Sequence, residues 1–176
     1  MKEDWDEYFL DMCNTVSNNS KCLSRHYGAL IVRDNSIIST GYNGPAKHVP
    51  HCNVRHKYDY ELLQKLKGND PNFDSLSELT TCPRYLLGAQ SGEMLELCVA
   101  GHAERSSIVN AAKYGIAVNG ADMYMNCAIP CTPCLVEIIN AGIREIIVVE
   151  KKFYDYSGPY VLENSDLKCR TYKHIM

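Results

Sequence analysis

The chain has 176 residues, 45% hydrophobic and 22% charged, with a formal net charge of −3; that suits one globular domain able to bury a core without disulfide staples. The acidic balance argues against a polynucleotide partner, which needs a basic stripe to neutralise phosphates, and no apolar run approaches the ~18 residues of a membrane span. Nine cysteines, an odd number, read as metal ligands or buried thiols rather than disulfides, and a cytoplasmic protein is expected.

Trp5, Phe9, Met12 and Val16 recur at helical spacing, so residues 4–17 are expected to form an amphipathic helix. The acidic "MKEDWDEYFLDMC" does not have the basic-then-apolar order of a signal peptide. "YGALIVRDNSIISTGYNG" (27–44) reads as two strands joined at Asp34-Asn35. Residues 45–98 then hold four of the seven prolines and three cysteines around one helical stretch, "RHKYDYELLQKL". A region of that length between core elements reads as a functional insertion in a single domain spanning 1–176. "GHAERSSIVNAAKYG" (101–115) suits a helix that buries Ala103, Ile108, Val109 and Ala112 and ends at Gly115. "ADMYMNC" reads as a strand and "CTPCLVEIINAG" as a helix closed by Gly142. "IREIIVVE" is a continuous apolar strand of the kind buried on both faces. The alternation implies an α/β protein with helices on both faces of one sheet.

Two of these helices open on residues with chemistry. Cys131 and Cys134 are three apart at a predicted helix start, so both thiols face one way, and a helix N-terminus favours the negative charge of thiolates. Pro130 suits that boundary. His102 likewise stands at the start of the preceding helix. One His and two Cys make three zinc ligands, leaving a fourth tetrahedral position for water, the pattern of a catalytic site. Glu104, two positions beyond His102, would not be expected to bind the same metal, but it can place its carboxylate beside that water as base and then acid. Taken alone, C-x-x-C is also a redox motif and a lone His is usually a satisfied core residue; a redox pair has no need of the His-x-Glu.

The joined motif H-A-E…P-C-x-x-C resembles the zinc-dependent cytidine/deoxycytidylate deaminase superfamily, for which the general pattern is established. "STGYNGPAKHVPHC" (39–52), "SKCLSRHYGALIV" (20–32) and "TCPRYLLGAQSGEMLELCVAGHAE" (81–104) resemble dCMP deaminases specifically, and the likeness runs from about residue 5 to 156. It implies a three-layer αβα fold on a mixed sheet of about five strands, with 45–98 as a family-specific insertion. It implies hydrolysis of dCMP to dUMP and ammonia, supplying dUMP for dTMP synthesis, in the cytoplasm (of the host, if the source is viral).

The resemblance also assigns roles. Glu104 would be the proton shuttle, and His102, Cys131 and Cys134 the catalytic zinc ligands. Ala103, Asn43, Tyr154, Ser24 and Arg25 would bind the substrate, the last pair at its phosphate, although Asn-Gly is also a favoured turn pair. Regulation by dCTP as activator and dTTP as inhibitor, with Mg²⁺, in a hexamer would involve Gly41, Tyr42, Asn43, Gly44 and Lys113. A second, structural zinc would use Cys22, Cys52, Cys82 and Cys98, with His51 a rival ligand, while Cys13, Cys127 and Cys169 read as core or surface thiols. Two departures stand out: Ser106 where the family usually has Asn, and Lys113 where it often has Arg. Arg105 could face solvent, a neighbouring subunit or a phosphate. Three other readings stay open: a deaminase of dCTP or of 5-substituted dCMP, a nucleic-acid-editing deaminase, and a zinc-bound nucleotide sensor without turnover. The acidic chain argues against the second and the intact Glu104 against the third.

Overall fold

The computed structural model describes residues 5–173; Asp4 of the expected first helix, and Glu3 before it, lie outside the described residues. The chain divides into two compact units, one made of the described residues up to 20 together with 27–43 and those from 102 on, the other of 21–26 and 44–101.

The first unit opens with helix α1 (Trp5–Ser17), which buries Phe9 and Cys13. Strand β1 (Gly28–Arg33) runs antiparallel to β2 (Ser36–Tyr42), with a register shift between Ile31 and Val32. Asp34 and Asn35 join them with φ of 49° and 56°. Two successive left-handed residues make the turn whose twist matches a hairpin, and Asp and Asn are among the few side chains that accept it.

Two short strands of the second unit follow in the chain, β3 (Gly44–Pro45) and β4 (Ala100–Gly101), paired antiparallel. Between them lie a 3₁₀ turn at Arg55–Lys57, helix α2 (Tyr60–Asn69) and helix α3 (Pro83–Leu86). Asp59 caps α2 by accepting the Leu62 N–H at 3.0 Å, and Leu62 and Leu66 are its buried face. The expected helix over 55–66 is thus split at Tyr58, because Asp59 takes the extended backbone of an N-cap. Arg55 binds this unit internally, pairing with Asp59 at 2.7 Å and donating to the Leu97 carbonyl at 2.6 Å.

The rest of the first unit supplies helix α4 (Ala103–Lys113), strand β5 (Asp122–Met125), helix α5 (Thr132–Asn140), strand β6 (Glu145–Val148), helix α6 (Gly158–Glu163) and strand β7 (Lys168–Thr171). The five strands lie in the order β2-β1-β5-β6-β7, antiparallel from β2 to β5 and parallel from β5 to β7. This is the expected mixed sheet; its fifth strand, β7, comes from a segment with no strong strand pattern. Alternate side chains of the central strands serve two cores. Ala29, Ile31, Met123 and Ile146 face Ala103, Leu135 and Ile138 of α4 and α5, while Leu30, Val32, Tyr124 and Ile147 face Phe9 and Cys13 of α1. A sheet buried on both faces and covered by helices is the three-layer αβα arrangement.

One expectation is corrected. Val109 is 63% exposed and Ala112 is exposed as well; the buried stripe of α4 is Ala103, Glu104, Ser107 and Ala111. The helix is turned so that three small residues, Ala103, Ser107 and Ala111, lie on its buried side with Glu104. Gly41 makes that possible: a Cβ there would sit 2.3 Å from the Ser107 nitrogen and 2.4 Å from the Ala103 carbonyl oxygen. The expected helix ends at Gly115 and Gly142 are both seen, with φ of 67° and 75°.

The Gly41→Ala variant is expected to lose about 2–3 kcal/mol of stability, at the upper end of ordinary overpacking because backbone rather than a flexible side chain is in the way. Urea unfolding monitored by circular dichroism measures it, and an unchanged midpoint would refute the close packing.

Candidate active site

His102 is the N-cap residue of α4 and Cys131 the N-cap residue of α5, both with extended backbone, φ/ψ −81°/155° and −64°/157°. Cys134 follows within the first turn of α5, after Pro133. With both helices packed on the same face of the sheet, these three side chains converge. The His102 Nδ1 lies 3.5 Å from the Cys131 Sγ and 3.3 Å from the Cys134 Sγ. All three ligand atoms fall within 4.8 Å of one another, the only such His, Cys, Asp or Glu trio among the described residues. Tetrahedral zinc with bonds of ~2.0 Å to nitrogen and ~2.3 Å to sulfur requires N···S edges of about 3.6 Å. The donor set fits that metal in both chemistry and spacing.

The ionisation of the cluster follows from its crowding. The bond from the Cys134 thiol, with help from His102, pulls the Cys131 thiol down to about 4. Cys134 keeps its proton: the bond to Cys131 and burial both push it up. The bond to the Cys131 sulfur raises His102. A divalent cation needs both sulfurs as thiolates, so its binding would displace the remaining proton.

Glu104 stands in the first turn of α4, only 6% exposed. Burial raises its carboxyl above the usual range, with the neighbouring anionic Cys131 acting in the same direction. A carboxyl whose affinity for a proton is raised by burial, two residues beyond His102 on the same helix, has the properties of a proton shuttle. Arg105 is engaged within the chain: it clasps the Glu137 carboxylate of α5 with two bonds, Nε to Oε2 at 2.9 Å and Nη2 to Oε1 at 2.8 Å. That fork ties the two ligand-bearing helices together. Ser106 donates its hydroxyl back to the His102 carbonyl at 2.9 Å.

The other candidate residues are distributed as follows. Ala103 is buried beside His102. Asn43 is buried at the end of β2, where its Oδ1 accepts the Tyr27 N–H at 2.8 Å; it pins the start of β1 rather than turning a hairpin. Tyr154 is 45% exposed in the segment after β6. Tyr42 is exposed and Gly44 half-buried, and the Lys113 ammonium lies 5.1 Å from the Tyr114 ring centroid. In the second unit, the Ser24 hydroxyl donates to the Tyr85 hydroxyl at 2.8 Å and Arg25 donates to the Ser91 hydroxyl at 2.6 Å. Cys22, Cys52, Cys82 and Cys98 all belong to that unit. Burial, and then the nearby Cys82, Cys22 and Cys98, raise Cys52 to about 11, although their sulfurs do not close to the spacing of the His102 trio. His51 is exposed. Cys13 and Cys127 belong to the two cores, and Cys169 packs against one of them.

Sequence reasoning missed two residues. Glu137 sits in an ordinary-looking helix, and only the crossing of α4 and α5 shows its partner. Asp155 accepts the backbone N–H of Thr132 at 2.7 Å across 23 residues of chain, and no local pattern announces such a bond.

Among the described residues no helix is long and apolar enough to cross a membrane. Residues 3–150 match the family model described as the cytidine and deoxycytidylate deaminase zinc-binding region. The chain is 27% identical over 168 residues to the deoxycytidylate deaminase of Schizosaccharomyces pombe, covering 96% of this chain but 44% of that protein. It is thus less than half as long as that relative. It is 31% identical over 158 residues to the deoxycytidylate deaminase of Enterobacteria phage T2, covering 85% of this chain and 81% of that one. The fold is similar to that of the dCMP deaminase from cyanophage S-TIM5 solved with dCMP and dUMP, with a TM-score of 0.63 at 20% identity over 97% of this chain and 98% of the other.

The zinc content of the purified protein is expected to fall by one per chain in the Cys134→Ser variant. Atomic absorption against protein concentration measures it, and a variant that keeps the parent's content would show that the trio does not hold the metal.

Proposed function

The chain belongs to the cytidine and deoxycytidylate deaminase family, and from that premise we propose that it hydrolyses dCMP to dUMP and ammonia. The observation that carries the proposal is the convergence of the His102 Nδ1 with the two cysteine sulfurs at 3.5 and 3.3 Å, with the buried Glu104 in the first turn of the same helix.

Zinc held by His102, Cys131 and Cys134 supplies a Lewis acid that makes water nucleophilic near neutral pH. The reaction adds the water oxygen to C4 of the cytosine and breaks the bond from C4 to the amino nitrogen. Both protons of the water must be moved, one to N3, which carries a hydrogen in uracil but not in cytosine, and one to the departing nitrogen so that it leaves as ammonia. Glu104 performs both transfers, taking each proton from the oxygen and delivering the first to N3 and the second to the amino nitrogen. Its burial suits the task, because a carboxyl in an apolar setting accepts a proton more readily than one in water.

Substrate recognition is assigned to Asn43, Ala103 and Tyr154, with Ser24 and Arg25 at the phosphate, where a hydroxyl and a guanidinium fork have the right chemistry. The chain acts as one deaminase domain with 45–98 as its insertion, in the cytoplasm, feeding dUMP to thymidylate synthesis. We extend the proposal to a hexamer activated by dCTP and inhibited by dTTP with Mg²⁺, through residues 41–44 and Lys113. Within that segment Gly41 packs closely on α4. Cys22, Cys52, Cys82 and Cys98 are proposed to hold a second, structural zinc. Their mutual influence on Cys52 supports this, since crowded thiols gain most from a cation. Counting zinc per chain tests the second site: Cys52→Ser should lose one zinc and leave the one that Cys134→Ser removes.

A second substrate, dCTP or a 5-substituted dCMP, is favoured only by Ser106, whose hydroxyl is spent on its own helix where the family usually has an Asn. The deciding experiment is turnover of the purified chain on dCMP, with CMP, dCTP and 5-methyl-dCMP beside it, with and without dCTP and Mg²⁺ as effector. Formation of dUMP, lost by at least about 10³-fold in Glu104→Gln with zinc retained, is the expected result; removing an essential acid–base group costs that order. Activity surviving in Glu104→Gln would overturn the mechanism, and turnover of another nucleotide but not dCMP would overturn the substrate.

A further inference from the structure

We propose that Asp155 is a positioning residue for the metal-binding turn: it holds the backbone between Cys131 and Cys134 and ties to it the segment carrying Tyr154. The inference rests on the reading of His102, Cys131 and Cys134 as a zinc site. Thr132 lies between the two cysteines, and both its groups are bound by this one carboxylate. Its N–H donates to the Asp155 Oδ2 at 2.7 Å, and its hydroxyl donates to the Asp155 Oδ1. The same Oδ1 accepts the N–H of Gly158 at 3.0 Å, so a single side chain joins the first residue of α5 to the first residue of α6.

The need for a remote cap follows from the sequence of the turn. The N-cap position of α5 belongs to Cys131, whose sulfur is committed to the His102 cluster. Pro133 has no N–H to offer. Thr132 is therefore the handle by which the turn can be held from outside without touching a ligand. A carboxylate there also meets the positive end of α5. Desolvation works against its charge, yet the bonds from Thr132, Gly158 and Ser157 keep its carboxyl below the usual range. The segment it anchors is otherwise lightly held: Tyr154 and Tyr156 are exposed, and Phe153 packs against Gly158. Groups that orient metal ligands from behind typically change metal affinity or activity by 10–100-fold when removed.

The test uses the full-length zinc-loaded protein and the variants Asp155→Asn, Thr132→Val and the double. The readouts are the rate of release to a chelator of the zinc that Cys134→Ser lacks, the visible spectrum of the cobalt-substituted protein, and kcat and KM on dCMP. Asp155→Asn should release zinc about 10–100-fold faster and alter the cobalt–thiolate bands. It should also lower kcat and raise KM, because the Tyr154 segment is freed together with the turn. Thr132→Val keeps the N–H bond and should show the same changes to a smaller degree. The double variant should be no worse than Asp155→Asn alone, since both remove one interaction. A folded Asp155→Asn protein with the parent's zinc release and cobalt spectrum would overturn the assignment, as would effects that multiply in the double. If Asp155→Asn does not fold, Thr132→Val decides in the same way. A parent inactive on dCMP would sink the substrate reading, while zinc release and the cobalt spectrum would still judge Asp155.

Discussion

The site depends on two helix N-termini meeting over one face of the sheet. His102 opens α4 and Cys131 opens α5, and neither helix brings enough ligands by itself. What brings them together is the core beneath: Ala103, Leu135 and Ile138 pack with Ala29, Ile31, Met123 and Ile146. The approach of α4 is unusually close because Ala103, Ser107 and Ala111 face the sheet and Gly41 lies under them without a side chain. A larger group at that contact would lift α4 and carry His102 and Glu104 away from the cysteines. Fold stability and ligand spacing are thus set by the same small residues.

The ionisable groups of the cluster act strongly on one another. Cys131 is pulled toward the thiolate and Cys134 pushed toward the thiol, burial raises the Glu104 carboxyl, and His102 is drawn toward the imidazolium. Each group is shifted by its neighbours as well as by burial, as is common where side chains are gathered for chemistry. Around it stand two braces that carry no ligand. Arg105 and Glu137 link the helices across their exposed sides, where an isolated ion pair would stabilise little but a two-bond fork fixes orientation. Asp155 holds the start of α5 from the opposite direction in the chain.

Much of the central unit could be read from the chain. The hairpin followed from Asp34-Asn35 between apolar runs, and the helix ends from Gly115 and Gly142, because turns with left-handed backbone admit few residue types. The strand β5 was legible in "ADMYMNC", and the buried strand β6 followed from the continuous apolar run of "IREIIVVE". The phase of α4 was misread, because Val109 and Ala112 look like core residues by hydrophobicity while Ser107 does not. The contact with β2, where Gly41 meets the backbone at Ala103 and Ser107, sets the phase of the helix, and that contact is not visible in the chain. The strand β7 was not legible either, since Lys168, Cys169, Arg170 and Thr171 acquire strand structure by pairing with β6.

By itself the sequence determined the reactive set. H-A-E and P-C-x-x-C single out the candidate ligands and the candidate shuttle because zinc chemistry demands particular atoms, and an amino-acid type either carries them or does not. It determined the αβα layering for a similar reason, since periodicity records which faces must leave water. Only the tertiary structure decided the spacing of the Nδ1 and the two sulfurs, the partner of Arg105, the anchoring role of Asn43 and the bond from Thr132 to Asp155. These are contacts between residues 16 to 32 positions apart. Their energies come from geometry that exists after the chain has folded, and no local pattern encodes them.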